Sequence, residues 1–524
     1  MPILKSFLGW TGCGLLAGGV CFTIKYKSTY GVMATDFAAG KGALSTFSMD
    51  SRREFYDVAV VGGGIVGLAT AREIRQKFPN KSVILIEKEA DVAQHQSSHN
   101  SGVIHAGMYY PQNSLMARLC PRGHDLIMDY CKKNKLPLER VGKLIVAVNE
   151  REIPAVENLY RQGVDNGVRD LKLLKSAEEI RKIEPNVCGV YALHSPDTAI
   201  TDFSAVARHM LKELFAGGPR YFKAQFNFEV QDFVGVSTQD KKDDNDGEPR
   251  ELVLIRGRES GQLGPEKTVV ASNVISCCGL SNDLVAASSG SPLFHIGRKV
   301  KQTFSFRGRY YQLRPEARNL VTTNVYPAPD AGKGIMVGVH FTPTVDERRG
   351  RQIIIGPGSA IATHRYGYSP YCFDIEYCFN SFLSKGGWIS LASNIGTVLR
   401  MIQLDVCRKA FLQEAQKLIP SLRDCDIEES FCGVMGVAIT EDGGMENDLA
   451  LEFSRPRVVL PVLVKPDKSV ELACSEKDVS SALVEGKQAL ILNIRNAPSP
   501  AATASMAIAE SVVSASAEHF GWKK

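Results

Sequence analysis

The chain has 524 residues, 44% of them hydrophobic and 23% charged, with a formal net charge of +5 and a pI near 8.4. That length exceeds one ordinary core and implies two or three domains, and the composition is that of a globular protein. The mildly basic balance comes without a basic block interleaved with aromatics, so nucleic acid is not an expected partner, although the charge would help attract an anionic substrate. Thirteen scattered cysteines without a C-x-x-C spacing do not read as a disulfide framework or a metal site, and they favour a reducing compartment.

Residues 6–24 (SFLGWTGCGLLAGGVCFTI) carry no charge and sit between Lys5 and Lys25. At about 1.5 Å per helical residue this stretch would reach about 28 Å, barely a bilayer core, and its five glycines weaken it as a helix. A membrane anchor, a secretory signal and a mitochondrial targeting segment are the three readings, and the arginines of a typical transit peptide are missing. Residues 25–53 read as a linker.

Folded sequence begins with YDVAVV (56–61), a β-branched apolar run that predicts a buried strand. It is followed by Gly62-x-Gly64-x-x-Gly67, a helical pattern to Phe78, and a second buried strand in SVILIEKE (82–89). Gly62 permits the tight turn, Gly64 the close approach of a pyrophosphate, and Gly67 the packing of helix on strand, while the helix N-terminus offers free N–H groups to phosphate. Glu87, 20 residues past Gly67, stands where a carboxylate accepts hydrogen bonds from ribose hydroxyls, with Lys88 beside it. This unit predicts dinucleotide binding in a doubly wound α/β domain, without separating FAD from NAD.

The segment 96–110 (QSSHNSGVIHAGMYY) is small, polar and placed just after the second strand. Through Ser101, Gly102 and Val103 it can run beside a flat ring and present backbone amides to it. Further along, helices are predicted over 113–134, 151–166 and 400–418, a strand over 141–148, a solvated loop over 240–251, and an antiparallel sheet over 303–356. VISCCGLSND (274–283) ends a strand in a glycine turn at Gly279, and NIRNAPSPAATASMAIAESV (493–512) opens a helix after two prolines, with Asn496, Ala497, Pro498 and Ser499 at its start. Dinucleotide signals at the beginning, middle and end imply a cofactor domain assembled from separated pieces: 54–111, 201–290 and 431–524, the last with an insertion at 455–489. Segments 112–200 (mixed substrate or cap) and 291–430 (substrate domain) fall between them, and 1–53 is the targeting or anchoring segment.

HNSGVIHAGMYY (99–110), GKLIVAV (142–148), VYPAPD (325–330), GVHFTP (338–343) and IRNAPSPAAT (494–503) together resemble the L-2-hydroxyglutarate dehydrogenase family, flavoproteins of the glycine-oxidase-like branch. The resemblance spans roughly residues 55–440 and 491–512. It implies FAD as the cofactor, a Rossmann-like FAD domain with an α+β substrate domain built on a mostly antiparallel sheet, and oxidation of L-2-hydroxyglutarate to 2-oxoglutarate. It further implies electron transfer to a quinone-type membrane acceptor and a mitochondrial, membrane-associated location.

Hydride transfer from the α-carbon requires a base for the hydroxyl proton and cations for the carboxylates. The resemblance makes His105 and His340 the candidate bases, with His99 third. Arg307, Arg309 and Lys143 are the candidate carboxylate partners, and Tyr110, at the end of the flavin segment, is a fourth candidate for binding the substrate. The chain departs from the family pattern at Arg309, where an acid is usual, at Ala438, where an arginine is usual, at Gly358 in place of asparagine, and in the 455–489 insertion. These departures leave open a flavin oxidase of another 2-hydroxy acid or an amino acid, or a flavin-binding protein without catalysis.

Overall fold

A computed structural model describes residues 55–238, 251–259, 266–296, 300–329, 338–440, 442–456, 459–464, 470–472, 488 and 490–523. The 1–53 segment and the 240–250 loop therefore lie outside the described residues.

Strand Phe55–Val61 leads into helix Ile65–Lys77 and strand Val83–Ile86, the βαβ unit expected from the glycine motif. Five strands run parallel, in the order Phe222–Gln225, Val83–Ile86, Phe55–Val61, Lys267–Ser276 and Ile491–Asn496. Their apolar runs are buried on both faces, as a parallel sheet requires. Antiparallel strands Ala450–Arg455 and Ser291–Ile296 continue the sheet beyond Ile491–Asn496, while Glu251–Arg258 and Glu229–Thr238 branch off from the first half of Lys267–Ser276. One face is covered by helices Ile65–Lys77, Leu115–Asn134, Phe203–Ala216 and Ala501–His519, whose apolar side chains share one core.

A second sheet of nine strands is antiparallel except where Asn324–Pro327 runs parallel to Lys143–Ala147. Its long central strands are Val300–Leu313, Gly350–Ile361 and Ile427–Thr440. Leu144, Val146, Val325, Phe341 and Ile355 face helix Arg408–Gln416 through Phe411 and Ala415. The opposite face, which carries Ile145, Ala147 and Tyr326, packs against Ala106 and Met108 of the cofactor half. Period-two alternation thus points one set of side chains to a helix layer and the other to the seam between the domains.

Three boundaries differ from the expectation. Helix Leu115–Asn134 belongs to the cofactor half, because Met116, Cys120, Ile127 and Cys131 form an apolar stripe in that core. Gly123 permits the contact: a Cβ there would lie 2.5 Å from Ala504 Cα. Strand Ile427–Thr440 completes the substrate sheet, so the cofactor part resumes after it, while Ser291–Ile296 pairs in the cofactor sheet. Within the 455–489 insertion, Val459–Val464 and Val470–Leu472 continue the large sheet beside Glu229–Thr238. The helix expected over 400–418 is two, Ile395–Val406 and Arg408–Gln416, meeting at Cys407.

Candidate active site

The three motif glycines serve different needs. Gly62 has φ +108°, which a side chain rarely adopts, and a Cβ there would collide with the Cys277 carbonyl. A Cβ on Gly67 would overlap the Gly62 carbonyl. Gly64 is unlike both: its φ of −73° suits any residue, and its Cβ would meet only Ser97 Oγ, at 3.4 Å. No protein atom requires a glycine at the head of this helix. The space left there, with the N-terminus behind it, fits a pyrophosphate.

Glu87 ends the second strand, and its carboxylate accepts the Gly63 N–H at 2.5 Å and the Glu89 N–H at 2.9 Å. Burial raises its pKa, opposed by those two N–H donors. It thus stands at the mouth of the glycine turn, placed for ribose hydroxyls. Lys88 pairs with Glu89 at 2.6 Å and lies 4.1 Å from the Tyr366 ring centroid. Gly279 has φ +54° and opens a short turn beside Gln96.

The flavin-loop candidates lie against the last helix. Ser97 Oγ accepts the Ile65 N–H at 3.0 Å, and Gly102, with φ +75°, has its carbonyl bonded by the Thr201 N–H at 2.8 Å. Val103 pairs with Ile200. Thr503, in the first turn of helix Ala501–His519, donates to the Val103 carbonyl at 3.2 Å and accepts the His105 N–H at 3.1 Å. Segments almost 400 positions apart, each quoted above as a motif, thereby form one wall. Tyr110 donates to the Ser499 carbonyl, so its hydroxyl is engaged in that wall. Asn496 donates its amide to the carbonyls of Glu446 at 3.1 Å and Asp448 at 2.7 Å, and so holds the strap preceding strand Ala450–Arg455. Ala497 packs against the shared core, and Ala497 and Pro498 lead from this strand to the helix.

Lys143, Tyr326 and His340 come from three neighbouring strands and meet on the seam face of the second sheet. The Lys143 side chain is 1% exposed, and its Nζ lies 3.5 Å from the Tyr326 ring centroid and 4.9 Å from that of Tyr109. Among the described residues, neither Lys143 Nζ nor the buried Tyr109 hydroxyl has a hydrogen-bond partner. Burial lowers the Lys143 pKa from 10.5 to about 7. His340 stacks on the other side of this group, ring centroids 3.8 Å from Tyr326 and planes at 18°. Its Nδ1 is 2.9 Å from the Gly338 carbonyl, which can only accept, so Nδ1 carries the proton and Nε2 the lone pair. Burial, and then Lys143, drive the His340 pKa down to about 3 against the pull of that carbonyl. His105 is lowered well below its ordinary value by burial first, then by Lys143 and His340. The two histidines and the lysine thus share one buried electrostatic neighbourhood.

The two arginines lie elsewhere. Arg307 is buried in an ion pair with Asp405, and Arg309 pairs with Glu429 and donates to the Asp405 carbonyl at 3.3 Å. Gly358, the strand partner of Arg309, faces Leu404 and Phe411, on the helix-layer side of the sheet. One arginine at the seam is Arg349, over the Phe431 ring at 3.8 Å and bonded to Asp346 at 2.8 Å. Sequence reasoning missed it, as it missed Tyr326 and Thr503. For Tyr326 the signal was available: it occupies the same strand parity as Lys143 in a quoted motif.

Residues 57–460 match the family of FAD dependent oxidoreductases. Mitochondrial L-2-hydroxyglutarate dehydrogenase from Nematostella vectensis is 34% identical over 471 residues, covering 89% of this chain and 91% of that one. The Homo sapiens protein of the same name is 32% identical over 514 residues, 97% of each chain. Among solved structures, FAD-bound L-alpha-glycerophosphate oxidase from Mycoplasma pneumoniae superposes with a TM-score of 0.58 at 20% identity, over 90% of this chain and 96% of that one. L-proline dehydrogenase from P. horikoshii gives 0.54 at 16% identity, over 90% and 95%. Those two likenesses speak for the fold, a glycine-motif FAD domain joined to an antiparallel substrate sheet. The glycine cradle, the matched family and the curated relatives agree: this chain belongs to the FAD dependent oxidoreductases and, within them, to the L-2-hydroxyglutarate dehydrogenase family.

Proposed function

We propose that the protein oxidises L-2-hydroxyglutarate to 2-oxoglutarate with FAD, and that Lys143 and His340 carry the protein's part of the chemistry. The observation that supports this most is a fully buried lysine without a counter-charge among the described residues, beside a histidine whose tautomer is fixed. A buried ammonium needs an anion, and a carboxylate of the substrate is the anion on offer. Bound FAD supplies the acceptor for the α-hydrogen as hydride. Gly62, Gly64, Gly67 and Glu87 would hold its pyrophosphate and ribose, and the Ser101–Val103 segment and the helix after Ser499 are the candidates to border its ring.

His340 Nε2 takes the hydroxyl proton; burial and Lys143 keep the ring neutral, and the negative charge of a bound carboxylate would raise its pKa toward the range a base needs. Lys143 Nζ and the Tyr109 hydroxyl hold one carboxylate and fix the α-carbon. His105, on the flavin segment, borders the same group and is the second candidate base. Arg307 and Arg309 have carboxylate partners of their own and take no substrate role in this reading. The electrons leave to a quinone-type acceptor, and the protein works in the mitochondrion, the location in its relatives' names.

Anaerobic mixing with L-2-hydroxyglutarate should bleach the flavin, while the D-enantiomer should not. Bleaching by an amino acid or a different 2-hydroxy acid alone would replace this substrate assignment. Failure of every candidate would leave a flavin-binding protein without catalysis.

A further inference from the structure

Of the fourteen large hydrophobic side chains exposed among the described residues, ten lie within residues 371–406. Tyr371 is 91% exposed, Val406 72%, Phe373 67%, Leu383 64%, Trp388 63% and Leu399 60%. Seven of the ten sit on three successive helices, Ile375–Phe382, Lys385–Ser393 and Ile395–Val406, between two strands of the substrate sheet, with Tyr371 and Phe373 just before the first helix and Leu383 just after it. Soluble surfaces scatter such side chains singly, and a contiguous cluster marks an interface.

The third helix shows how the cluster is built. Met401 and Asp405 point inward, to Phe304, Phe306 and Arg307. Ile395, Leu399, Ile402 and Val406 point outward at intervals of four, three and four, one unbroken stripe along the solvent side. The helix is apolar on both faces, so its outer stripe is not a by-product of core packing. None of the three helices is long and apolar enough to cross a bilayer. From Tyr377 to Leu399 the only charge is Lys385, and neither Lys385 nor Lys409, just past the stripe, is held in an ion pair among the described residues.

We propose that residues 371–406 form a docking surface for an anionic lipid bilayer, with the three helices lying in its plane. Three features favour lipid over a protein partner. The apolar side chains protrude from helices instead of lining a groove. A tryptophan and a tyrosine accompany free lysines, the mixture suited to a lipid headgroup boundary. The same chain carries a second uncharged apolar stretch at residues 6–24, which a globular partner would not require. Two modest attachments together give firm binding where one gives only reversible contact. The surface does not depend on which substrate is oxidised. It deepens the reading of an acceptor that resides in the membrane, since it would hold the flavin domain beside that acceptor.

The test uses the full-length holoenzyme and vesicles of phosphatidylcholine with a fifth of an anionic phospholipid. Leu399→Glu with Val406→Glu should lower vesicle partitioning at least tenfold, while flavin content and reduction by L-2-hydroxyglutarate in solution stay at wild-type values. Doxyl-labelled lipid should quench wild-type tryptophan fluorescence, and Trp388→Phe should remove part of that quenching. Wild-type partitioning by the double variant, or unchanged quenching in Trp388→Phe, overturns the proposal and leaves attachment to the N-terminal segment. Loss of a dimer in the double variant without loss of vesicle binding overturns it in favour of a second copy of the chain. Flavin reduction is read separately, so a wrong substrate assignment and a wrong docking surface give different results.

Discussion

Replacing Lys143 by Met should make the protein more stable and less able to use its substrate. The Lys143 pKa falls from 10.5 to about 7 on folding because burial disfavours the ammonium. At 1.36 kcal/mol per pH unit, that difference is a penalty of about 5 kcal/mol on the charged form. The ammonium's attraction to the Tyr326 ring, 3.5 Å away, offsets about 2 kcal/mol in so dry a site. Met fills similar space without charge, so Lys143→Met should gain about 3 kcal/mol at pH 6. The sign follows from proton counting. Between about pH 7 and 10.5 the unfolded chain holds a proton that the folded one lacks, so wild-type stability rises with pH across that window. The advantage of Lys143→Met should shrink over the same range and vanish above it. Denaturant unfolding of both proteins at pH 6 and pH 10.5, with excess FAD, measures this. Substrate binding should weaken by about 2–5 kcal/mol in the variant, because a buried carboxylate loses its cation. A variant less stable than wild type at pH 6, or one with unchanged substrate affinity, would falsify the assignment of Lys143 as an unpaired, substrate-facing cation.

The glycines should separate by cause: Gly64→Leu should fold but lose flavin absorbance, because only the cofactor's space is invaded, whereas Gly67→Ala should fail to fold against the Gly62 carbonyl. His340→Asn keeps a side-chain donor for the Gly338 carbonyl but has no lone pair at the Nε2 position. Stopped-flow reduction at saturating substrate should slow by about 10²–10⁴-fold with the flavin still bound; a wild-type rate would move the base to His105. Arg307→Met strands the buried carboxylate of Asp405 and should cost about 3–5 kcal/mol in unfolding experiments, with no rise in the substrate concentration needed by the protein that remains folded. A selective rise in that concentration would return Arg307 to the substrate site.

The cofactor half was legible because its signals are local. A strand, a glycine turn, a helix start and an acid fall within some 30 residues, and each has one physical job. The substrate half was legible only as a type. Helix Leu115–Asn134 looked like a cap because it follows the flavin loop in sequence, yet its stripe of Met116, Cys120, Ile127 and Cys131 matches the helix bearing Ala504. Amphipathic periodicity says that a face is buried but not against what. The strand-rich character of 455–489 was legible, but its place at the sheet edge was not, since short β-rich runs do not name their neighbours.

The arginines show the limit most sharply. Arg307 and Lys143 are both cations that a dicarboxylate could use. Strand parity separates them: Arg307 falls on the face shared with Asp405, while Lys143 falls on the face shared with Tyr326 and the flavin segment. A register shift of one residue would exchange those faces, and the bulge between Arg309 and Tyr311 means that parity could not be counted reliably along that strand from the sequence. What decides the role is whether a carboxylate already occupies the cation. Asp405 and Glu429 occupy the arginines from segments about 100 residues away, so no local pattern could have revealed it. Lys143 has none among the described residues, and that difference, more than the lysine itself, is why the proposed substrate role falls to it.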